Sequence, residues 1–492
     1  MVVHPFLWLI LIPLASAPLV YLAGRLGGSA VARGLALLAL LLTGAPLIIT
    51  AQDLISQATL TVALGMVQLK FDGLSLLLAV VALGLGACAS VFSIPYMAGE
   101  LGEEKYYAAL LGMIGFIIGL GCAADLFNLW VWFEAMAVSS YMLVAFYRDQ
   151  PASLEAGVKY LVQSAVGSVL VLLGIAAVFG ETGRLTLNHT TTATTGLLAA
   201  GALMTVGFGV KAALVPLHTW LPDAHAQAPS GISAMLSGVV IEAGLIALLR
   251  AISPVLGEDS TARFGQLLLL FAVLNMTLGN VLALKQTQVK RMLAFSSLGH
   301  VGYMVLGFGA AAYTGQLAAA QGSMFHLLTH GLMKGLAFLS AGALLYALYV
   351  ANGTHGPLTV QDLNGASQRY PLVALTLSVA VLGLAGLPPL AGFMSKWQIF
   401  VGGVQADDPL LVVLVVFAAL NSVLSLAYYA PLVNALYRRV PSEAVQHGKA
   451  VSWAMMAPLV ILSALVVVLG VWPALVDGLS GPAARALLAG WQ

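Results

Sequence analysis

Apolar stretches long enough to cross a bilayer follow one another along nearly the whole chain, and they constrain the fold more than any motif does. A helix needs about 20 residues to span a hydrocarbon layer of ~30 Å. A window of about that length finds about fourteen such stretches, at roughly 5–24, 31–51, 72–95, 106–123, 125–147, 156–180, 196–220, 230–252, 264–284, 291–312, 320–348, 371–402, 409–438 and 452–474. With 60% of the residues hydrophobic and only 8% charged, a set of soluble domains is excluded. The expected fold is an all-α polytopic membrane protein, a single transmembrane domain over 1–492 with about fourteen helices. The opening MVVHPFLWLILIPLASAPLVYLAG has no basic flank ahead of it, so it reads as a first transmembrane helix rather than a cleaved signal. Ala124 and Asp125 have to make the whole turn between the fourth and fifth spans.

Because 20 Lys and Arg face 19 Asp and Glu, the net charge of +1 identifies no partner, and no basic run suggests nucleic acid. Placement is more informative. Arg25, Arg33, Lys105, Arg148, Lys159, Lys285, Lys290, Arg291, Arg369, Arg438, Arg439 and Lys449 fall in one set of alternate loops, and Lys70, Arg184, Arg250, Arg263 and Arg485 in the other. The richer set is expected in the cytoplasm, which puts both termini outside an inner (plasma) membrane. Lys285, Lys290 and Arg291 then read as ordinary positive-inside anchors. Three lysines remain inside spans: Lys211, Lys334 and Lys396. Cys88 and Cys122 each lie in an apolar segment with no metal or redox spacing, and read as packing residues.

A charged side chain at membrane depth costs roughly 2.5–3.5 kcal/mol on insertion scales, so each such residue needs a partner or a hydrated cavity. Lys211 lies in GFGVKAALVPLHTWLPDAHAQAPS, where Pro216 and Pro222 break the seventh span. Glu134, in LFNLWVWFEAMAVSSYMLV, is its expected ion-pair partner, either as a proton-sensitive switch or as a static pair joining two helices. Pro388 and Pro389 break the twelfth span beside Lys396 in the same manner. Two broken helices five spans apart suggest inverted five-helix repeats, spans 4–8 over 106–252 and spans 9–13 over 264–438. These are flanked by helices 1–3 over 1–95 and by helix 14 with its tail over 452–492.

Glu242 stands alone in the eighth span, partnered by Lys211 or a histidine, or protonated and bonded to a serine. His326, His330 and Lys334 follow at i, i+4 and i+8, about 40° apart, so they share one stripe of the eleventh helix and suit a proton wire through water. A structural role for His326 stays open. No third ligand accompanies the histidines, so no metal is expected. His218, Asp223 and His225 follow the break and read either as a proton entry or as turn residues.

The segments WFEAMAVSSYMLV, KAALVPLHTWLPDAHAQAPS, VKRMLAFSSLGHVGYM, HLLTHGLMKGLAFLSAGAL and LAGLPPLAGFMSKWQIF occur in that order. Together they resemble the antiporter-like subunits shared by respiratory complex I, group 4 membrane-bound hydrogenases and Mrp-type sodium/proton antiporters, over roughly residues 70–435. The resemblance implies fourteen helices with two inverted repeats, Glu134 and Lys211 as the ion-pair switch, the eleventh-span histidines as central relays, and Lys396 as the terminal station. This sequence departs from the family at Glu242, where a lysine is common, and some branches carry a glutamate at the position of Lys396.

The expected function is therefore proton translocation within a redox-driven complex, through a mid-membrane line of buried Lys, Glu and His. The rival is an Mrp-type Na+/H+ antiporter subunit without electron transfer. An organic-solute transporter would need a pocket with aromatic or polar selectivity groups, whereas the buried residues here are nearly all titratable. A pure scaffold would carry these buried charges for no gain. No Cys cluster, dinucleotide loop or haem motif appears, so no cofactor is expected on this chain. The expected partners are other membrane subunits, the lipid bilayer, H+ and possibly exchanged Na+.

Overall fold

The computed structural model describes residues 4–65, 67–187, 193–354 and 356–491. The chain runs α1 (Pro5–Gly27), α2 (Ser29–Ser56), β1 (Thr59–Leu64), β2 (Val67–Asp72), α3 (Gly73–Tyr96), α4 (Glu103–Gly121), α5 (Leu126–Val144) and α6 (Pro151–Thr182). It continues through α7 (Thr195–Lys211), α8 (Leu221–Gln227), α9 (Ser230–Met235), a π-turn (Leu236–Val240), α10 (Ile241–Ala251), α11 (Glu258–Leu284), α12 (Val289–Thr314) and α13 (Leu317–Leu348). It closes with α14 (Ala366–Arg369), α15 (Pro371–Ala385), α16 (Ala391–Val404), α17 (Pro409–Leu436), α18 (Glu443–His447), α19 (Trp453–Val471) and α20 (Asp477–Leu488).

Among the described residues, 11 helices are long and apolar enough to span a membrane. One of them is the continuous helix Ser230–Val255, built from α9, the π-turn, α10 and a closing 3-10 turn (Ser253–Val255). Each expected apolar stretch carries helix, with the seventh and twelfth interrupted at their prolines: α7 stops at Lys211, and α15 stops at Ala385 before α16 resumes at Ala391. Proline supplies no N–H to either break. Burial separates centre from rim. The most apolar windows of Ser230–Val255 and α12 are fully buried, while those of α2 and α17 are only 28% buried and turn leucine, isoleucine and valine outward. α13 is the hub, packing on α9, α12, α15, α16, α19 and α20.

Two expectations are corrected. The chain is not purely helical: β1 and β2 pair antiparallel, from Thr59↔Asp72 to Leu64↔Val67, around Gly65. Asp72 then caps α3 by accepting from the Leu74 and Ser75 amides at 3.1 and 3.0 Å. The tail packs on the bundle: α20 folds back on α3 and α13, and the Trp491 indole donates to the Leu249 carbonyl at 3.0 Å. Finally, Arg250 and Lys290 are not loop anchors. Both are buried, Arg250 against Asp72 at 2.5 Å and Lys290 donating to the Ala228 carbonyl at 2.5 Å.

Candidate functional site

Ending α7 at Lys211 frees backbone groups that lipid cannot satisfy, and side chains take them. The Trp220 indole donates to the Val210 carbonyl at 2.7 Å. Asn275 of α11 accepts from the Val215 amide at 2.9 Å and donates to the Ala213 carbonyl at 3.1 Å. The Lys211 ammonium is buried and donates to the Tyr160 hydroxyl at 2.8 Å and Ser164 at 3.3 Å, above the faces of Tyr160 and Phe133. Tyr160 in turn stacks on Trp220, with ring centres 3.9 Å apart. Helix α10 reaches the break because Gly244 has no side chain: a Cβ there would lie 2.8 Å from the Lys211 Cγ.

The direct Glu134–Lys211 ion pair is absent. Among the described residues no carboxylate forms an ion pair with Lys211, and Glu134 is half-buried with its Oε1 lacking a hydrogen-bond partner. The two still interact electrostatically, but hydroxyls and aromatic faces solvate the ammonium instead. Opposite charge alone chose the wrong contact.

Glu242 resolves to its histidine alternative. It follows the π-turn, a local widening often found at functional sites, and its Oε1 lies 2.6 Å from His330 Nδ1. The second atom of each group, Glu242 Oε2 and His330 Nε2, has no partner. From His330 the buried polar line continues through a residue that the sequence reading passed over. His300 of α12 lies 5.1 Å from His330 between ring centres, and its Nδ1 is 3.1 Å from His326 Nε2. His326 Nδ1 then meets Ser395 Oγ at 2.8 Å, next in sequence to Lys396. His326 thus sits inside the line and not at its margin.

Lys396 lies beyond its break, whereas Lys211 lies before its own. The Lys396 ammonium donates to the Leu384 carbonyl at 2.8 Å and to Ser422 at 2.9 Å, above the Tyr303 ring. Gly386, at φ +86°, turns the chain here, and a Cβ on it would crowd Lys396 Nζ at 3.4 Å. Lys334 leaves the histidine stripe and donates to the Leu293 carbonyl at 2.8 Å and Ser296 at 2.6 Å.

The post-break residues divide. Asp223 pairs with Arg291 at 2.5 Å and Lys159 at 3.2 Å near the surface, which favours the turn reading. His225 is fully buried, stacks on Phe338 and has both ring nitrogens unpartnered, so it belongs with the relay candidates. His218 is half-buried, and its Nδ1 has no partner. Buried His300 was findable by the criterion applied to the lysines, an ionisable group inside an apolar helix. Among the described residues, no three His, Cys, Asp or Glu side chains gather as a metal site.

Residues 123–422 match the family described as NADH:quinone oxidoreductase/Mrp antiporter, TM, and residues 62–107 match NADH-Ubiquinone oxidoreductase (complex I), chain 5 N-terminus. F(420)H(2) dehydrogenase subunit N of Methanosarcina mazei is 34% identical over 417 residues, covering 82% of this chain and 82% of that protein. NADH-quinone oxidoreductase subunit N 1 of Sorangium cellulosum is 34% identical over 424 residues, covering 82% and 80%. A chain of the membrane-bound sulfane sulfur reductase, an archaeal respiratory membrane complex, aligns with a TM-score of 0.88 and 27% identity over 99% of this chain and 98% of that one. This chain belongs to the NADH:quinone oxidoreductase/Mrp antiporter family of membrane subunits.

Proposed function

We propose that the chain is the proton-translocating, antiporter-like subunit of a redox-driven membrane complex and carries no redox cofactor itself. The observation that carries this reading is the buried line Glu242–His330–His300–His326–Ser395, which leads across the centre of the protein to Lys396. Histidine gains and loses protons near neutral pH, groups about 3 Å apart can exchange them directly, and the His330–His300 step, 5.1 Å between ring centres, is crossed through a bridging water. Lys211 stands at the other end beside a broken helix, on a helix packed against α10. Glu134 biases Lys211 through space, so a change at Glu134 alters how readily Lys211 gives up its proton without an ion pair having to break.

In this reading the face bearing Lys285, Arg291, Arg369 and Lys449 is cytoplasmic, the membrane is the plasma membrane, and electron transfer takes place in partner subunits. Lys211→Ala is expected to abolish pumping while the complex still assembles. Pumping at the normal rate by an assembled Lys211→Ala complex would sink the proposal. Purification of the native complex, with mass spectrometry of its chains and an iron and flavin assay, tests the redox half. Iron–sulfur or flavin subunits support it. Small cofactor-free membrane chains would turn the assignment to an Mrp-type antiporter, for which sodium-dependent proton flux is the assay.

A further inference from the structure

A closed circuit of contacts surrounds Lys211 at the break in the seventh span. Trp220 donates its indole N–H to the carbonyl of Val210, the residue before the lysine, at 2.7 Å. Its ring stacks on Tyr160 of α6, 3.9 Å between centres and 4° from parallel. Tyr160 leads back to the lysine, since the ammonium donates to its hydroxyl at 2.8 Å and lies 4.4 Å from the centre of its ring. Beside this stack Gln163 donates to Thr219 at 2.6 Å, so two consecutive residues of the break are fastened to α6. The Tyr160 hydroxyl also reaches α5: it meets Ser140 Oγ at 3.0 Å, and Ser140 donates to the Ala137 carbonyl at 2.8 Å. Ala137 and Ser140 follow Glu134 on that same helix.

We infer that Tyr160 is the positioning residue of this site, fixing the Lys211 ammonium to the broken helix and favouring its charged form through a one-way chain of hydroxyls anchored on α5. The inference rests on the function proposed above and deepens it by naming what holds the proton on Lys211. The direction of the chain follows from its last member. A carbonyl only accepts, so the Ser140 hydrogen is committed to Ala137 and the Tyr160 hydrogen to Ser140. The Tyr160 oxygen is left to face the lysine as an acceptor. An ammonium has three donors and no acceptor, which matches that oxygen; a neutral amine loses the charge-assisted part of the bond. Few groups compete. Glu134 of α5 acts on Lys211 through space, Ser164 of α6 accepts from it at 3.3 Å, and α10 presents the bare Gly244. Glu242 of α10 is engaged with His330, Lys159 is paired with Glu155 and Asp223, and His218 in the break is bonded to the Pro216 backbone. Tyr141 meets the Tyr160 ring only edge-on. Packing does not require the hydroxyl, because a phenylalanine ring would stack on Trp220 equally well.

Tyr160→Phe keeps the ring and its stack but removes the acceptor. A hydrogen bond to a charged group is worth about ten-fold or more in an equilibrium, so Lys211 in this variant should lose its proton about ten-fold more readily. The test uses the whole complex in inverted membrane vesicles and reads protons taken up per electron transferred over a pH series. Because the proposed route needs a proton on Lys211, the alkaline pH at which the ratio falls to half should move down by about one unit in Tyr160→Phe. Ser140→Ala keeps the acceptor and removes its anchor, and should move the midpoint less, in the same direction. An assembled Tyr160→Phe complex with the wild-type midpoint overturns the inference. So does a ratio lowered equally at every pH, which is what a merely structural ring would produce. If Tyr160→Phe fails to assemble, Ser140→Ala decides by the same midpoint. Lys211→Ala is measured alongside: normal pumping by that variant would overturn the parent reading instead, and this inference with it.

Discussion

Asn275 closes the break that presents Lys211, and its removal can be sized from the two bonds it makes to the broken segment, apart from a longer one to the Leu298 carbonyl at 3.4 Å. Its side chain is fully buried, accepting from the Val215 amide at 2.9 Å and donating to the Ala213 carbonyl at 3.1 Å. Asn275→Leu keeps the volume, so cavity effects stay small, but it orphans both backbone groups where no bulk water reaches them. Each buried unsatisfied group costs roughly 1–3 kcal/mol, which puts the destabilisation at about 2–6 kcal/mol. Ala213 is two residues beyond Lys211, so a relaxed break also displaces the ammonium from Tyr160 and Ser164. The expected outcome is a lower thermal midpoint of the purified complex together with a reduced proton-to-electron ratio. An Asn275→Leu complex that melts and pumps like wild type would refute the reasoning. Lower stability with normal pumping would reduce the amide to a structural splint.

His300→Phe preserves the ring's bulk but removes the nitrogen that faces His326, so proton transfer between Glu242 and Lys396 should fall by about ten-fold or more; an unchanged proton-to-electron ratio would remove His300 from the line. Asp72, the N-cap residue just ahead of α3, supplies the pH dependence. Burial pushes its carboxyl up, but Arg250, Lys70 and the Ser75 hydrogen bonds outweigh this and hold it below its ordinary 3.8. A depressed folded value means that the stabilisation is complete above about pH 4–5 and is lost as pH falls through the folded value. Acid melting of wild type should therefore show a step that Asp72→Asn lacks, and equal acid sensitivity of the two would contradict the assignment. Removing one member of a buried pair costs about 3–5 kcal/mol, so Arg250→Met should be worse than the double variant Asp72→Asn/Arg250→Met.

The spans were legible because a twenty-residue apolar run has few other fates, and the breaks because proline cannot join a helical ladder. The Thr59–Asp72 hairpin was missed although TLTVALGMVQLKFD alternates around a glycine, since a window tuned to spans averages over period two. Lys290 and Arg250 were placed in loops by sequence distance from span ends. Their stems instead carry the charges inward, onto the Ala228 carbonyl and onto Asp72. The Glu134–Lys211 contact failed because Tyr160 and Ser164, neutral and unremarked in sequence, already solvate the ammonium. Glu242–His330 and His300–His326 join different helices at separations of 88 and 26 residues. A stripe on one helix shows which residues share a face. It does not show what the neighbouring helix brings to that face.

The two breaks are closed by different chemistry, and this separates their lysines. At α7 the freed groups are met by a neutral amide and an indole, which leaves the Lys211 ammonium bonded only to side chains. At the end of α15 the Leu384 carbonyl is met by the Lys396 ammonium itself and the Ala385 carbonyl by Ser422. Lys396 is thus both a charge station and part of the closure of its helix. Lys211→Met should therefore stop pumping with little loss of stability, since it removes a buried charge and orphans no backbone group. Lys396→Met should stop pumping and also leave a buried carbonyl unpaired, a penalty of roughly 1–3 kcal/mol set against relief from burying the charge. Thermal midpoints of the two complexes, each compared with wild type, read this difference directly. If Lys396→Met proves as stable as Lys211→Met, water closes the second break unaided and Lys396 acts by its charge alone.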